Sequence, residues 1–235
     1  MPGDLVIGID SSTTATKAIA WDARGRAVAE TRANQPMSNP KPGWFEQDVD
    51  DWTGALTKAL KQLTRKIDAK RIAALAISNQ RESFAQFDAR DKALRPGTLW
   101  LDERAPVQAA ALAAKFGPER LREISGKPAD ITPCISRCAW FAEHMPGLWK
   151  KTAMTAEVHG VLVHFLTGNW HTSTASADPM GLIDMARYDW SDELLQAVGP
   201  TRAQLPKLFR PGEPVGEVTA EAAKLTGLKP GTPVI

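Results

Sequence analysis

Residues 5–22, LVIGIDSSTTATKAIAWD, set two apolar runs on either side of a break in which five of the six residues from Ser11 to Thr16 carry hydroxyls. Leu5 to Asp10 predicts a buried strand and Thr16 to Trp21 a second one. Asp22 to Arg26, DARGR, supplies the Asp and Gly that a hairpin turn needs, so Ala27 to Ala33 is expected to close an antiparallel meander. The proline-rich stretch that follows, NQPMSNPKPGW, reads as a loop.

Asp48 or Asp50 can cap the next element, in which Trp52, Leu56, Leu60, Leu63 and Ile67 recur at the period of one helix face. RIAALAIS, Arg71 to Ser78, is nearly all apolar. It predicts a strand covered on both sides and reached by a helical crossover, hence parallel to an earlier strand in a mixed sheet. FDARDKAL (Phe87 to Leu94) echoes WDARGRAV (Trp21 to Val28), which shared turn chemistry explains more simply than an internal duplication. The second half is expected to be largely helical, with helices over Ala105 to Phe116, Pro118 to Ile124, Ser136 to His144 and Glu157 to Leu166. Further helices start at Ser191 and Thr219. The closing KPGTPVI predicts a turn feeding a new strand.

The 235 residues suffice for one large domain or two small ones. A formal net charge of +2 with scattered basic residues argues against a nucleic-acid partner. Without a long apolar run or a basic leader, the expectation is a cytoplasmic protein with no membrane association. Cys134 and Cys138, four apart in one helix, have neither a zinc-ribbon nor a disulfide spacing, so buried free thiols are expected. His144, His159, His164 and His171 form no metal-binding pattern.

If the strand ending at Ser78 lies parallel to the one ending at Asp10, their carboxyl ends share the sheet edge where open α/β sheets bind ligands. DSSTTAT would then face NQRES. Backbone amides and the hydroxyls of Ser11, Ser12, Thr13 and Thr14 can cradle phosphate, Asp10 can hold a hydrated Mg²⁺, and Lys17 can neutralise charge. No Walker A pattern is present, and by itself the segment fits a structural turn equally well. Arg81 donates in a planar fork beside the acceptor Glu82, a pairing that can grip vicinal diols, although by itself such a pair of opposite charges fits an ordinary surface loop better. In LWLDER, Trp100 can cover the C–H face of a carbon chain while Asp102 takes hydroxyls, although a tryptophan is more often a core residue.

These segments, with PGWFEQDVDDW, AISNQRESF, RPGTLWLDERA, SGKPADITPCISRCAWF, ADPMGLIDMARYDWSDELL and GTPVI in register, make the chain resemble the N-terminal domain of FGGY carbohydrate kinases. The resemblance implies an α/β, ribonuclease-H-like (actin-like ATPase) domain, with a mixed central sheet flanked by helices, over residues 1–235. It also implies a second, ATP-binding domain after residue 235 that carries the general-base Asp. ATP, Mg²⁺ and a sugar or polyol are the implied ligands, and a homodimer of the full-length protein is one assembly open to it.

By the same resemblance, Asp10 supports metal and phosphates, Ser11 to Thr14 and Lys17 lie near the transferred phosphate, and Arg81, Glu82 and Trp100 hold the acceptor. QRE looks more like glycerol kinase, whereas ADPMGLIDMARYDWS looks closer to the sugar kinases. Ser12 stands where the family usually has Gly, and Thr132 where glycerol kinase has a substrate-contacting Tyr. The expected activity is ATP-dependent phosphorylation of a hydroxyl group, with this chain alone inactive. The alternatives are an actin-like or chaperone-like nucleotide module, which has no need of Arg81, Glu82 and Trp100 together, and a binding-only domain.

Overall fold

A computed structural model of the chain describes residues 3–235. Strands β1 (Leu5–Ser11), β2 (Ala15–Asp22) and β3 (Ala27–Asn34) form the expected antiparallel meander. At the turn between β2 and β3, Asp22 Oδ1 accepts from the backbone N–H groups of Arg24 and Arg26, and Gly25 takes the left-handed conformation. The echoed segment repeats this chemistry: Asp88 Oδ1 accepts from Arg90 and Lys92, and Asp91 occupies the left-handed slot at φ 58°.

The proline-rich stretch is not a loop. It forms a hairpin, β4 (Ser38–Lys41) and β5 (Trp44–Gln47), turning at Gly43. Pro40 is tolerated because β4 is an edge strand, where a missing N–H faces no neighbour. Helix α1 (Val49–Leu63) follows, capped by Asp48, and its apolar face is buried. Ile67 lies beyond the helix end but is buried in the same core.

β6 (Ile72–Asn79) runs parallel to β1, as the crossover requires. Only one of its faces is covered, however. Ile72, Leu75 and Ile77 are buried, while Ala76 and Ser78 are exposed, because α1 and two later helices pack on a single side of this half of the sheet.

The chain continues through β7 (Phe84–Phe87), β8 (Gly97–Thr98), α2 (Pro106–Phe116), α3 (Pro118–Ser125), α4 (Cys134–His144), α5 (Pro146–Trp149), β9 (Met154–Glu157) and α6 (Val158–Thr167). It ends with β10 (His171–Ser173), α7 (Thr174–Ala177), β11 (Ile183–Asp184), β12 (Asp189–Trp190), α8 (Asp192–Val198), β13 (Lys207–Phe209), β14 (Gly216–Glu217), α9 (Ala220–Thr226) and β15 (Pro233–Val234). The second half therefore interleaves its helices with short strands rather than being largely helical. Ser191 and Thr219 cap α8 and α9, and Gly168 ends α6 in the left-handed conformation.

The central mixed sheet has the order β14-β15-β6-β1-β2-β3, and a second, antiparallel sheet has the order β4-β5-β8-β7-β9. One apolar core joins the central sheet to α1, α6 and α9, and another gathers α2, α3, α4 and α8 around Phe84. Gly97 lies where a Cβ would come within 2.4 Å of the Trp52 ring, so the close approach of β8 to α1 requires glycine. Cys134 and Cys138 are free and buried, and burial pushes the Cys134 thiol up to about 12.

Candidate active-site cleft

The hydroxyl-rich break is a tight turn. Ser12 donates both its backbone N–H and its hydroxyl to the Ala15 carbonyl at 2.9 Å. Strand alternation sends Ser11 inward with Ile7 and Ile9, where it accepts from Thr16 Oγ1 at 3.2 Å, and leaves Asp10 outward. Lys17 sits directly opposite Asp10 on β2 and so on the same face of the sheet. Two hydroxyls are thus spent inside, Thr14 is exposed, and Ser12 and Thr13 are turned toward a hollow.

Across that hollow comes the end of β6. Asp10 pairs with Ser78 and Ser11 with Asn79, and the Gln80 N–H donates to the Ser11 carbonyl at 2.8 Å. The chain then turns out at the same sheet edge. The resulting cleft, about 300 Å³, is lined by Asp10, Ser12, Thr13, Asn79, Gln80, Arg81, Glu82 and Trp100.

Arg81 is held from outside the cleft. Its Nη2 meets both oxygens of Asp178 at 2.9 and 3.0 Å, and Nη1 donates to the Ala175 carbonyl at 3.0 Å. Lys127 also pairs with Asp178. Glu82 adopts φ 52°, a conformation that side-chain-bearing residues seldom take. Partial burial pushes its carboxyl above the usual range, and the nearby Arg81, Lys127 and Arg137 charges pull only partly the other way. Trp100, 45% exposed, donates through Nε1 to Thr13 Oγ1 at 3.1 Å and so bridges the two walls.

Of the expected residues, Ser11, Thr14, Lys17, Asp102 and Thr132 do not line this hollow. Asp102 is 1% exposed, and its oxygens accept from the Phe45 N–H, the Arg104 N–H and the Arg104 guanidinium. The expectation that it takes ligand hydroxyls therefore fails: its lone pairs are occupied in holding the 99–104 loop. Thr132 is exposed but does not line the cleft; its N–H donates to Asp130 Oδ1 at 2.7 Å and its carbonyl accepts from Arg137.

Beneath the cleft lies a buried amide network that sequence reasoning missed. Gln47 Nε2 donates to the Thr13 carbonyl at 2.9 Å and the Pro36 carbonyl at 2.6 Å, and Gln47 Oε1 accepts from Trp52 Nε1 and Gln80 Nε2. Ser83 Oγ donates to Gln80 Oε1 and accepts from the Trp100 N–H. No local pattern marks them, because Gln47 stands between Glu46 and Asp48 and Gln80 between Asn79 and Arg81, among other polar residues; only burial forces their amides to find partners.

Among the described residues no group of three or more His, Cys, Asp or Glu side chains is arranged to hold a metal. A lone Asp10 beside hydroxyls nevertheless fits Mg²⁺, which keeps several waters and binds through one or two carboxylates plus phosphate oxygens. Also among the described residues, no helix is long and apolar enough to cross a membrane.

A mixed sheet with this strand order and a polar cleft at its carboxyl edge defines an actin-like ATPase type of domain. Residues 5–235 match the model of the FGGY family of carbohydrate kinases, N-terminal domain. The chain is 30% identical to a xylulose kinase of Escherichia coli over 227 residues, covering 95% of this chain and 46% of that protein. It is 31% identical to a glycerol kinase of Methylorubrum extorquens, covering 91% and 45%. The crystal structure of xylulose kinase from Rhodospirillum rubrum superposes with a TM-score of 0.94 at 27% identity, over 98% of this chain and 48% of that one. The chain belongs to the FGGY family of carbohydrate kinases, and it spans about half the length of the curated relatives it matches.

Proposed function

We propose that the protein carrying this chain transfers the γ-phosphoryl group of ATP to a hydroxyl of a sugar or polyol in the cytoplasm. The observation that carries this reading is one cleft in which Asp10, Ser12 and Thr13 face Arg81, Glu82 and Trp100. Phosphoryl transfer asks a protein for positioning and charge neutralisation more than for covalent chemistry. Thr13 offers a hydroxyl donor to phosphate oxygens, while the Ser12 O–H is engaged by the Ala15 carbonyl and shapes the turn. Lys17, on the same sheet face as Asp10, adds positive charge at the rim.

On the other wall, Arg81 donates to acceptor hydroxyls, Glu82 accepts from them, and the Trp100 ring covers the carbon chain. The acceptor oxygen forms a bond to the γ-phosphorus as the bond to the β–γ bridging oxygen breaks. Its proton passes to a carboxylate base in a second, ATP-binding half expected beyond residue 235. Mg²⁺, with Asp10 supporting its hydration shell, supplies neutralisation of phosphate charge when bound. A nucleotide-driven assembly module would leave Arg81, Glu82 and Trp100 without a task.

The test offers the complete protein ATP-Mg²⁺ with D-xylulose, glycerol and a panel of other ketoses and polyols, and follows ADP release. At least one acceptor is expected to stimulate release strongly. No stimulation by any of them overturns the proposal.

A further inference from the structure

Arg137, on α4, is fully buried, yet its hydrogen bonds go to no carboxylate. Nη1 donates to the Leu99 carbonyl, and Nη2 donates to the carbonyls of Glu82 at 2.6 Å and Thr132 at 2.9 Å, with Cys134 Sγ at 3.6 Å. A buried cation normally keeps a counter-ion, because desolvation is costly. Here three peptide dipoles take that place, and each comes from a different loop.

Two of these loops carry the acceptor wall, and the third, at Thr132, stands outside the cleft lining. The Glu82 carbonyl belongs to the peptide joining Glu82 to Ser83, and the Leu99 carbonyl to the peptide joining Leu99 to Trp100. Those two peptides meet where the Trp100 N–H donates to Ser83 Oγ at 3.1 Å. Glu82 is held in its left-handed conformation at this same point. None of the Arg137 bonds reaches the Ser11 to Ala15 turn.

We propose that Arg137 is a positioning residue for acceptor binding: one guanidinium fork ties the loops of Glu82 and Trp100, which form the wall, to the Thr132 loop outside the cleft. The inference rests on the sugar-kinase reading above. A planar fork can span three carbonyls, whereas an ammonium on a flexible stem cannot hold the same geometry.

The test compares the complete wild-type protein with R137K, using whichever of D-xylulose or glycerol the wild type phosphorylates. R137K is expected to raise the acceptor KM roughly tenfold or more, through misplacement of the wall, while the ATP KM stays unchanged. Equal changes in both, or a lowered melting temperature with neither KM moved, would overturn it. Should R137K fail to fold, amide hydrogen exchange of the wild type in rising denaturant decides the tie itself. Segments 81–84, 99–101 and 131–133 are expected to open as one unit, and separate openings overturn the proposal. A wild type that phosphorylates nothing would instead end the kinase reading and the acceptor role with it, with the joint opening still measurable.

Discussion

The two walls of the cleft are built on opposite plans. The wall from Asp10 to Thr16 is one hairpin turn, closed by bonds between residues three to five apart, such as Ser12 to Ala15 and Thr16 to Ser11. The facing wall comes from the end of β6 and the loop after β8, and is joined by side chains from far along the chain: Arg137 to Glu82 and Leu99, and Asp178 to Arg81. A hairpin closes at little entropic cost and needs little support. A wall of remote loops holds its shape only while buried charges and amides hold it. The contrast teaches that the first wall should keep its shape when its own side chains change, and the second should be sensitive to residues that touch no ligand.

The severest way to break the contrast is Gln47→Ala, because Gln47 is bonded to both walls. It strips partners from Thr13, Pro36, Trp52 and Gln80, and should lower stability by about 4 kcal/mol and the melting temperature by roughly 8–16 °C. A loss of only a degree or two would mean that the two walls are independently supported.

The next effect is a pH dependence of stability that arises at Glu157. Glu157 caps α6, pairs with Phe84 next to the Arg81 loop, and is pushed by burial from 4.5 up to about 7. The folded carboxyl holds its proton more tightly than the unfolded one. Its contribution to stability is therefore full below about 4.5 and lost as pH rises through about 7, a change on the order of 3 kcal/mol. Chemical denaturation at several pH values should show the wild type losing stability across this window relative to Glu157→Gln. Parallel curves would refute the assignment.

Arg81→Ala sharpens the comparison by cutting one wall alone. Loss of a charged donor should lower kcat/KM for the acceptor roughly 10- to 100-fold with little change in the KM for ATP. Equal losses would place Arg81 on the phosphate side instead. The mildest change is Ser12→Gly, which removes the hydroxyl bond to Ala15 but keeps the backbone bond of the turn. It should cost about 1 kcal/mol or less in a thermal melt and leave acceptor kinetics untouched. A large effect would show that the hydroxyl, and not the backbone, shapes the first wall.

How far each region could be read in advance follows the same division. The meander, the α1 face from Trp52 to Leu63, the Ser191 and Thr219 caps and the twin Asp turns were all legible, because each depends on residues within a few positions of one another. The hairpin at Ser38 to Gln47 was not, since prolines read as breakers unless the strand is known to lie at an edge. Asp102 looked like a ligand in LWLDER, but only packing shows Arg104 folded back onto it. Nothing in CISRCAW singles out Arg137; only the packing of α4 buries it.

The amino-acid order by itself determined the alternation of strands, the turn chemistry and the family of the chain, because these are written in patterns short enough to act locally. Which polar groups face the cleft and which are consumed beneath it was decided only by the tertiary structure. A side chain's partners there come from loops brought together by the collapse of two apolar cores, and no local period encodes that meeting.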